Sequence, residues 1–226
     1  MIRLHSRKER ISVREGYVDV GFGNRYRKFS QYPLMRRWEK KYEFATALQS
    51  PYDPYINDEA NIFTCELTFS SSLMNVASKS YDLVFNFGFL QRFPYLIHEM
   101  KRVSKHYVAA FTPNRYNFGH GFIRSFYHRV RGTACQHIDR GEPSLMTLDG
   151  LVGLFERSGL TVLEKGHVDI PIWLDTVVHI SELLGSGRPV PLKMPMPKQL
   201  VSLEDLWPNC FKKVQAHHIY AFAESL

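Results

Sequence analysis

The string Tyr81-Asp82-Leu83-Val84-Phe85-Asn86-Phe87-Gly88-Phe89-Leu90-Gln91-Arg92-Phe93 decides the fold. Its first seven residues form a near-continuous apolar run of strand length, the pattern of a strand covered on both faces in a parallel sheet. Downstream, Pro94 stands where a helix begins, and Leu96, Met100 and Val103 follow at i, i+4 and i+7, which predicts a short helix with one buried face. Tyr107 to Phe111 reads as the next strand, stopped by Thr112-Pro113-Asn114. Thr147 is an N-cap with Asp149 in the first turn, Leu148, Leu151, Val152 and Phe155 line one face, and Gly159 ends that helix. Thr161 to Val168 and the alternating His218 to Ala223 read as strands.

Upstream, residues 24–43 read as a basic amphipathic helix with Tyr26, Phe29, Leu34, Trp38 and Tyr42 between the cations, broken or kinked at Pro33. Two short apolar strings, Phe44 to Leu48 and Cys65 to Phe69, flank the turn-rich Ser50-Pro51-Tyr52-Asp53-Pro54. Strands alternating with helices imply an α/β fold with a mostly parallel sheet covered on both faces. The four prolines of residues 188–197 keep that stretch out of a ladder, and it reads as an extended surface connection.

With 226 residues, 44% of them hydrophobic and 23% charged, the chain buries a sizeable core, which excludes a disordered or fibrous protein. No run of about 18 apolar residues is present and no apolar stretch follows the charges at the N-terminus, so a soluble cytoplasmic protein without a membrane partner is expected. Cys65, Cys135 and Cys210 are widely spaced and read as reduced thiols, with neither a disulfide framework nor a zinc site. Residues 1–41 hold twelve Lys/Arg against Glu9, Glu15, Asp19 and Glu39, a segment of +8 in a chain of net +7. Clustered cations suit a nucleic acid or another polyanion, but a solvated helix face is the favoured reading.

From Tyr81 to Pro171 the chain resembles the second half of a class I S-adenosylmethionine-dependent methyltransferase. The string at 81–93 is similar to that family's fourth strand and the loop facing adenine and the reacting methyl. The Glu99-to-Val103 helix, the strand ending at Phe111-Thr112-Pro113-Asn114-Arg115-Tyr116, the helix opening at Met146-Thr147-Leu148-Asp149-Gly150-Leu151, Ser158-Gly159-Leu160 and Asp169-Ile170-Pro171 follow in the family's order. The resemblance implies a Rossmann-like fold with an antiparallel last strand, and S-adenosylmethionine as cofactor.

Two registers compete for the cofactor loop. In one, Val18-Asp19-Val20-Gly21-Phe22-Gly23-Asn24 is the glycine loop, 63 residues separating Asp19 from Asp82 as the family's spacing requires. In the other, favoured here, residues 1–43 form a basic extension resembling that of archaeal-type members, residues 44–226 form the methyltransferase-like domain, and the loop is residues 49–54. That register leaves about ten residues between Phe69 and Tyr81, too few for the usual helix, strand and helix, so one strand of the sheet is missing.

In the favoured register the resemblance places Pro51, Tyr52, Asp53, Ser70, Asn86, Phe87 and Gly88 at the cofactor. No glycine lies between Gln49 and Pro54, two prolines lack N–H donors, and Ser70-Ser71-Ser72 stand where the ribose-binding acid is expected. Cofactor binding is therefore expected to be weakened, remodelled or lost. On the acceptor side fall Asn114, Tyr116, His120 and His128, with His137 and Asp139 as a candidate general base and its orienting carboxylate. His217 and His218 are expected on opposite faces of the last strand, which argues against a shared metal ion. The reading is of a methyltransferase-family protein with an unidentified substrate. The alternatives are a non-catalytic interaction module, a partner subunit of an active protein, or a polyanion-binding adaptor, with nucleic acid open but not favoured.

Overall fold

The computed structural model describes residues 20–50, 62–117, 145–170 and 206–225. The elements in chain order are α1 (Val20–Tyr42), β1 (Thr46–Gln49), β2 (Glu66–Phe69), β3 (Tyr81–Phe87), α2 (Leu96–Val103), β4 (Ser104–Pro113), α3 (Leu148–Arg157), β5 (Thr161–Val168), α4 (Asn209–Gln215) and β6 (His218–Glu224). The six strands form one sheet in the order β2-β1-β3-β4-β6-β5. Pairings among β2, β1, β3 and β4 are parallel, and β6 is antiparallel to both β4 and β5, so β5 runs the same way as β4. This is the expected Rossmann-like arrangement, with the last strand inserted antiparallel beside residues 161–168. No strand lies beyond β2 among the described residues, in keeping with the short connection from Phe69 to Tyr81.

Alternation along the strands sorts the core into two layers. Ala47, Leu83, Phe85, Phe87, Ala109, Phe111 and Phe222 face Met35 and Trp38 of α1. Leu48, Val84, Val108, Ala110, Ile219 and Ala221 face Ile97 and Met100 of α2 and Leu151 and Phe155 of α3. The apolar run at 81–87 therefore has the two covers its composition demands.

The helix α1 begins four residues before the expected start and passes through Pro33 without a break. The proline lies on the exposed side while Tyr32, Met35 and Trp38 are buried, so packing of the opposite face offsets the missing N–H bond. Glu39 fixes its C-terminal half by accepting from the Thr64 and Cys65 amides at 2.9 and 2.7 Å, at the start of β2. Gln31 reaches Asp169, just past the end of β5. The helix thus runs antiparallel to the parallel strands, with its N-terminal half toward their carboxyl ends. Trp38, Tyr42, Arg37 and Lys41 converge on Glu164 of β5 at 3.0, 3.2, 2.5 and 2.8 Å.

Asp82 clamps β1 to β3: its Oδ2 accepts from the Ala45 and Thr46 amides at 3.0 and 2.9 Å, and Lys105 sits 3.2 Å from Oδ1. Burial raises this carboxyl, but the bonds from Ala45, Lys105 and Thr46 hold it below its ordinary value. Arg102 of α2 binds the abbreviated 70–80 connection, donating to the Leu73 and Val76 carbonyls at 2.9 Å each. Thr147 caps α3 by accepting from the Gly150 amide at 3.0 Å, and Gly159 closes it at φ +71°, as its sequence predicts.

Candidate functional site

In an open α/β sheet, ligands bind beyond the carboxyl ends of the strands where the order reverses, here between β1 and β3. The residues at that point divide into groups that brace the fold and groups that do not. Asn86 is fully buried and braces: its Nδ2 donates to the Ser50 carbonyl at 2.9 Å and its Oδ1 accepts from the Phe89 amide at 3.1 Å. Phe87 is buried and stacks on Phe111 at 4.9 Å. Gly88 turns the chain at φ +71°, a backbone conformation that favours glycine, and its amide donates to the Phe111 carbonyl at 2.7 Å. Ser70 donates its hydroxyl to the Ser72 carbonyl at 2.6 Å and its amide to Gln49 at 3.0 Å, forming a turn.

Gln49 and Ser50, at the end of β1, behave differently. Both are buried, and the Gln49 Oε1 and Nε2 and the Ser50 Oγ have no hydrogen-bond partner among the described residues. Buried polar atoms are rarely left this way without a functional or solvent partner. These two residues offer unsatisfied donors and acceptors at the β1–β3 switch; sequence reasoning placed both in the 49–54 loop but named neither among the cofactor-binding residues. The signal available was a Gln-Ser pair closing an apolar strand.

A second polar group lies across the sheet. His218, the first residue of β6, places Nδ1 2.7 Å from Asp169 Oδ2, and both side chains are less than a tenth exposed. Gln31 donates from Nε2 to the same oxygen, and the Asp169 amide donates to the Ser30 hydroxyl at 3.2 Å. Asp169 holds φ at 60°, in the left-handed region that Asp tolerates better than most residues. A carboxylate can only accept, so in this contact Nδ1 is the nitrogen that donates. Sequence reading took Asp169 as a family marker and His218 as a strand residue, because 49 residues separate them.

The other acceptor-side expectations fall in several places. Asn114 is fully buried and donates to the Lys213 and Ala216 carbonyls at 2.9 Å each, tying α4 to the end of β4. Tyr116 is 46% exposed beneath the Lys213 ammonium. Pro51, Tyr52, Asp53, His120, His128, His137 and Asp139 lie outside the described residues. The rings of His217 and His218 are 4.6 Å apart, not on opposite faces, because the strand begins only at His218 and alternation does not extend to His217. Among the described residues no group of three His, Cys, Asp or Glu could hold a metal ion, and no helix is long and apolar enough to cross a membrane.

No protein-family profile matches the chain, and no curated protein matches it. Among solved structures, it is similar to the plantazolicin methyltransferase BpumL in complex with SAH at 13% identity and TM-score 0.47, covering 97% of this chain and 91% of that one. A Haloferax volcanii protein described as a methyltransferase, in complex with the Trm112 methyltransferase activator, aligns at 10% identity and TM-score 0.42, covering 84% and 76%. The geranyl diphosphate C-methyltransferase of Streptomyces coelicolor A3(2), with Mg2+, geranyl diphosphate and S-adenosyl-L-homocysteine, aligns at 11% identity and TM-score 0.38, covering 87% of this chain and 60% of that one. Likeness at this level concerns the fold alone.

Proposed function

We propose that the chain is a class I S-adenosylmethionine-dependent methyltransferase-family protein, acting on an unidentified substrate through a weakened or remodelled cofactor site. The observation that carries the reading is the strand order β2-β1-β3-β4-β6-β5 with its single antiparallel strand, joined to the sequence likeness of residues 81–171. Residues 1–43 are read as a basic extension and residues 44–226 as the methyltransferase-like domain.

The described residues fit the cofactor in part. Gln49 and Ser50 offer buried, unsatisfied polar atoms at the switch point. Beyond β2, where a ribose-binding acid is expected, stand serines, and Ser70 is already engaged with Ser72. The cofactor, when bound, supplies a transferable methyl group. The chain would position the acceptor, and His218 oriented by Asp169 is a candidate proton acceptor, as is the His137–Asp139 pair read from the sequence.

A non-catalytic module or partner subunit is the second reading, favoured by one observation: the side chains of Asn86 and Asn114 are engaged in internal hydrogen bonds. Calorimetric titration with S-adenosylmethionine and S-adenosylhomocysteine separates the two. Weak but saturable binding supports the first reading, and no heat with either ligand up to about 1 mM, a binding free energy near −4 kcal/mol, supports the second.

A further inference from the structure

We propose that the surface around α4 is a landing platform for single-stranded nucleic acid. None of the residues of α4 is buried. On and before it, Leu206, Trp207, Phe211 and Val214 are 76%, 39%, 48% and 38% exposed, and the Trp207 and Phe211 rings meet edge-on at 5.9 Å. Tyr116, which follows β4, joins the same surface: the Lys213 ammonium stands 5.0 Å above its ring. Exposed aromatic side chains of this size are costly to leave in water without a partner.

The cations on the surface are Lys212 and Lys213, and neither forms an ion pair among the described residues. The field of both lysines is felt at His167 of β5, where burial first and Lys213 next hold the imidazole below its ordinary pKa; Asp149 is the acid that opposes them. The Trp207 and Phe211 rings on one flank of α4, and the Tyr116 ring beneath Lys213 on another, with Lys212 and Lys213 on the same helix, suit a polymer with flat faces and one negative charge per repeat. Bases stack on the rings and phosphates meet the cations. The platform is fixed, since Asn114 and Asn117 hold the Lys213, Ala216 and Gln215 carbonyls at 2.9, 2.9 and 3.0 Å. It lies at the carboxyl end of β4, on the edge of the sheet that carries the candidate site.

The test is fluorescence anisotropy with labelled RNA and DNA strands of about 12 nucleotides, and the matching duplex, from about 50 to 200 mM salt. The proteins are the wild type, Trp207→Ala/Phe211→Ala, Lys212→Ala/Lys213→Ala and the remote pair Lys40→Ala/Lys105→Ala, which lies toward the amino ends of the parallel strands. Single strands are expected to bind more tightly than duplex, and loss of both rings to weaken binding about tenfold or more. Loss of both lysines should lower the salt slope by about 1.4, while the remote pair changes affinity by less than about twofold. Because the substituted side chains are exposed or half-buried, circular dichroism should show an unchanged fold. Absence of binding at low salt, or full affinity in the ring variant, would overturn the proposal. So would displacement by poly-L-glutamate as effective as by unlabelled strand, which would assign the surface to an acidic protein. The cofactor titration is independent of every one of these outcomes.

Discussion

Asp169 Oδ2 and His218 Nδ1 lie 2.7 Å apart in a site almost closed to water, although 49 residues separate them in the chain. The same oxygen accepts from Gln31, so one carboxylate joins α1, the end of β5 and the start of β6. Removing one member of a buried pair leaves the other desolvated and unmatched, at a cost of about 3–5 kcal/mol. Asp169→Ala should lose stability on that scale in urea denaturation. Asp169→Asn should lose less, because Asn keeps two hydrogen-bonding partners and tolerates a positive φ. Equal stability of Asp169→Ala and wild type would show that the contact is not a structural latch.

Acid sensitivity should trace to Glu164. Burial raises its carboxyl, but hydrogen bonds from Lys41, Trp38 and Arg37 win and hold its pKa at about 2. A carboxylate depressed in the folded state stabilises above its unfolded pKa, near 4.5, and loses that contribution as pH falls toward the folded value. Arg37 and Lys41 are more than half exposed, so screening reduces the effect to about 1–2 kcal/mol. Melting curves between pH 6 and 3, taken in steps of about half a unit, should fall less steeply for Glu164→Gln than for wild type.

Thiol chemistry should distinguish Cys65 from Cys210. Burial, followed by the Glu39 carboxylate, pushes the Cys65 thiol up to about 12, whereas Cys210 is exposed. Iodoacetamide at mildly alkaline pH, read by peptide mass spectrometry, should alkylate Cys210 and spare Cys65 until the protein is unfolded.

Gln49 offers a direct test of the candidate cofactor crevice. Replacing a buried, unsatisfied amide with an apolar side chain of similar shape should stabilise by about 1–2 kcal/mol. Gln49→Met is therefore expected to melt higher than wild type and to bind S-adenosylmethionine more weakly. A variant that gains stability and keeps its affinity would remove Gln49 from the site.

The glycines Gly21 and Gly23 lie in the first turn of α1, where the competing register has a cofactor loop. Gly-to-Ala exchange within a helix is worth about 0.5–1 kcal/mol. Gly21→Ala/Gly23→Ala should accordingly keep or raise the melting temperature and leave cofactor affinity within about twofold. A large loss of affinity would return those glycines to the cofactor.

Elements whose burial is periodic were legible in the sequence. The run at 81–87, the strand at 161–168 and the Thr147-capped helix carry their own signals of two-sided burial, alternation and capping. The helix of residues 209–215 was not legible, because it has no buried face to impose a period. Pro33 misled for a related reason: a local rule for backbone bonding gave way to the packing of Tyr32, Met35 and Trp38. At the site, Asn86, Gly88 and Asn114 were legible as positions at strand ends, but their hydrogen-bond partners were not. Asp169–His218 and Gln49 depend on which strands meet and on what fails to meet them, and no local window contains either.

The grip of α1 on Glu164 has a consequence for the order in which the chain can acquire its structure. Trp38 and Glu164 are 126 residues apart, and Gln31 and Asp169 are 138 apart. During synthesis at about 5–20 residues per second, α1 emerges many seconds before the strand that neutralises its cations and the aromatic floor that receives Trp38. Contacts of such long sequence separation are slow to close. The nascent chain therefore carries a basic helix with an uncovered apolar stripe for as long as those 126 residues take to be added, and that stripe is a surface a chaperone can hold in the interval.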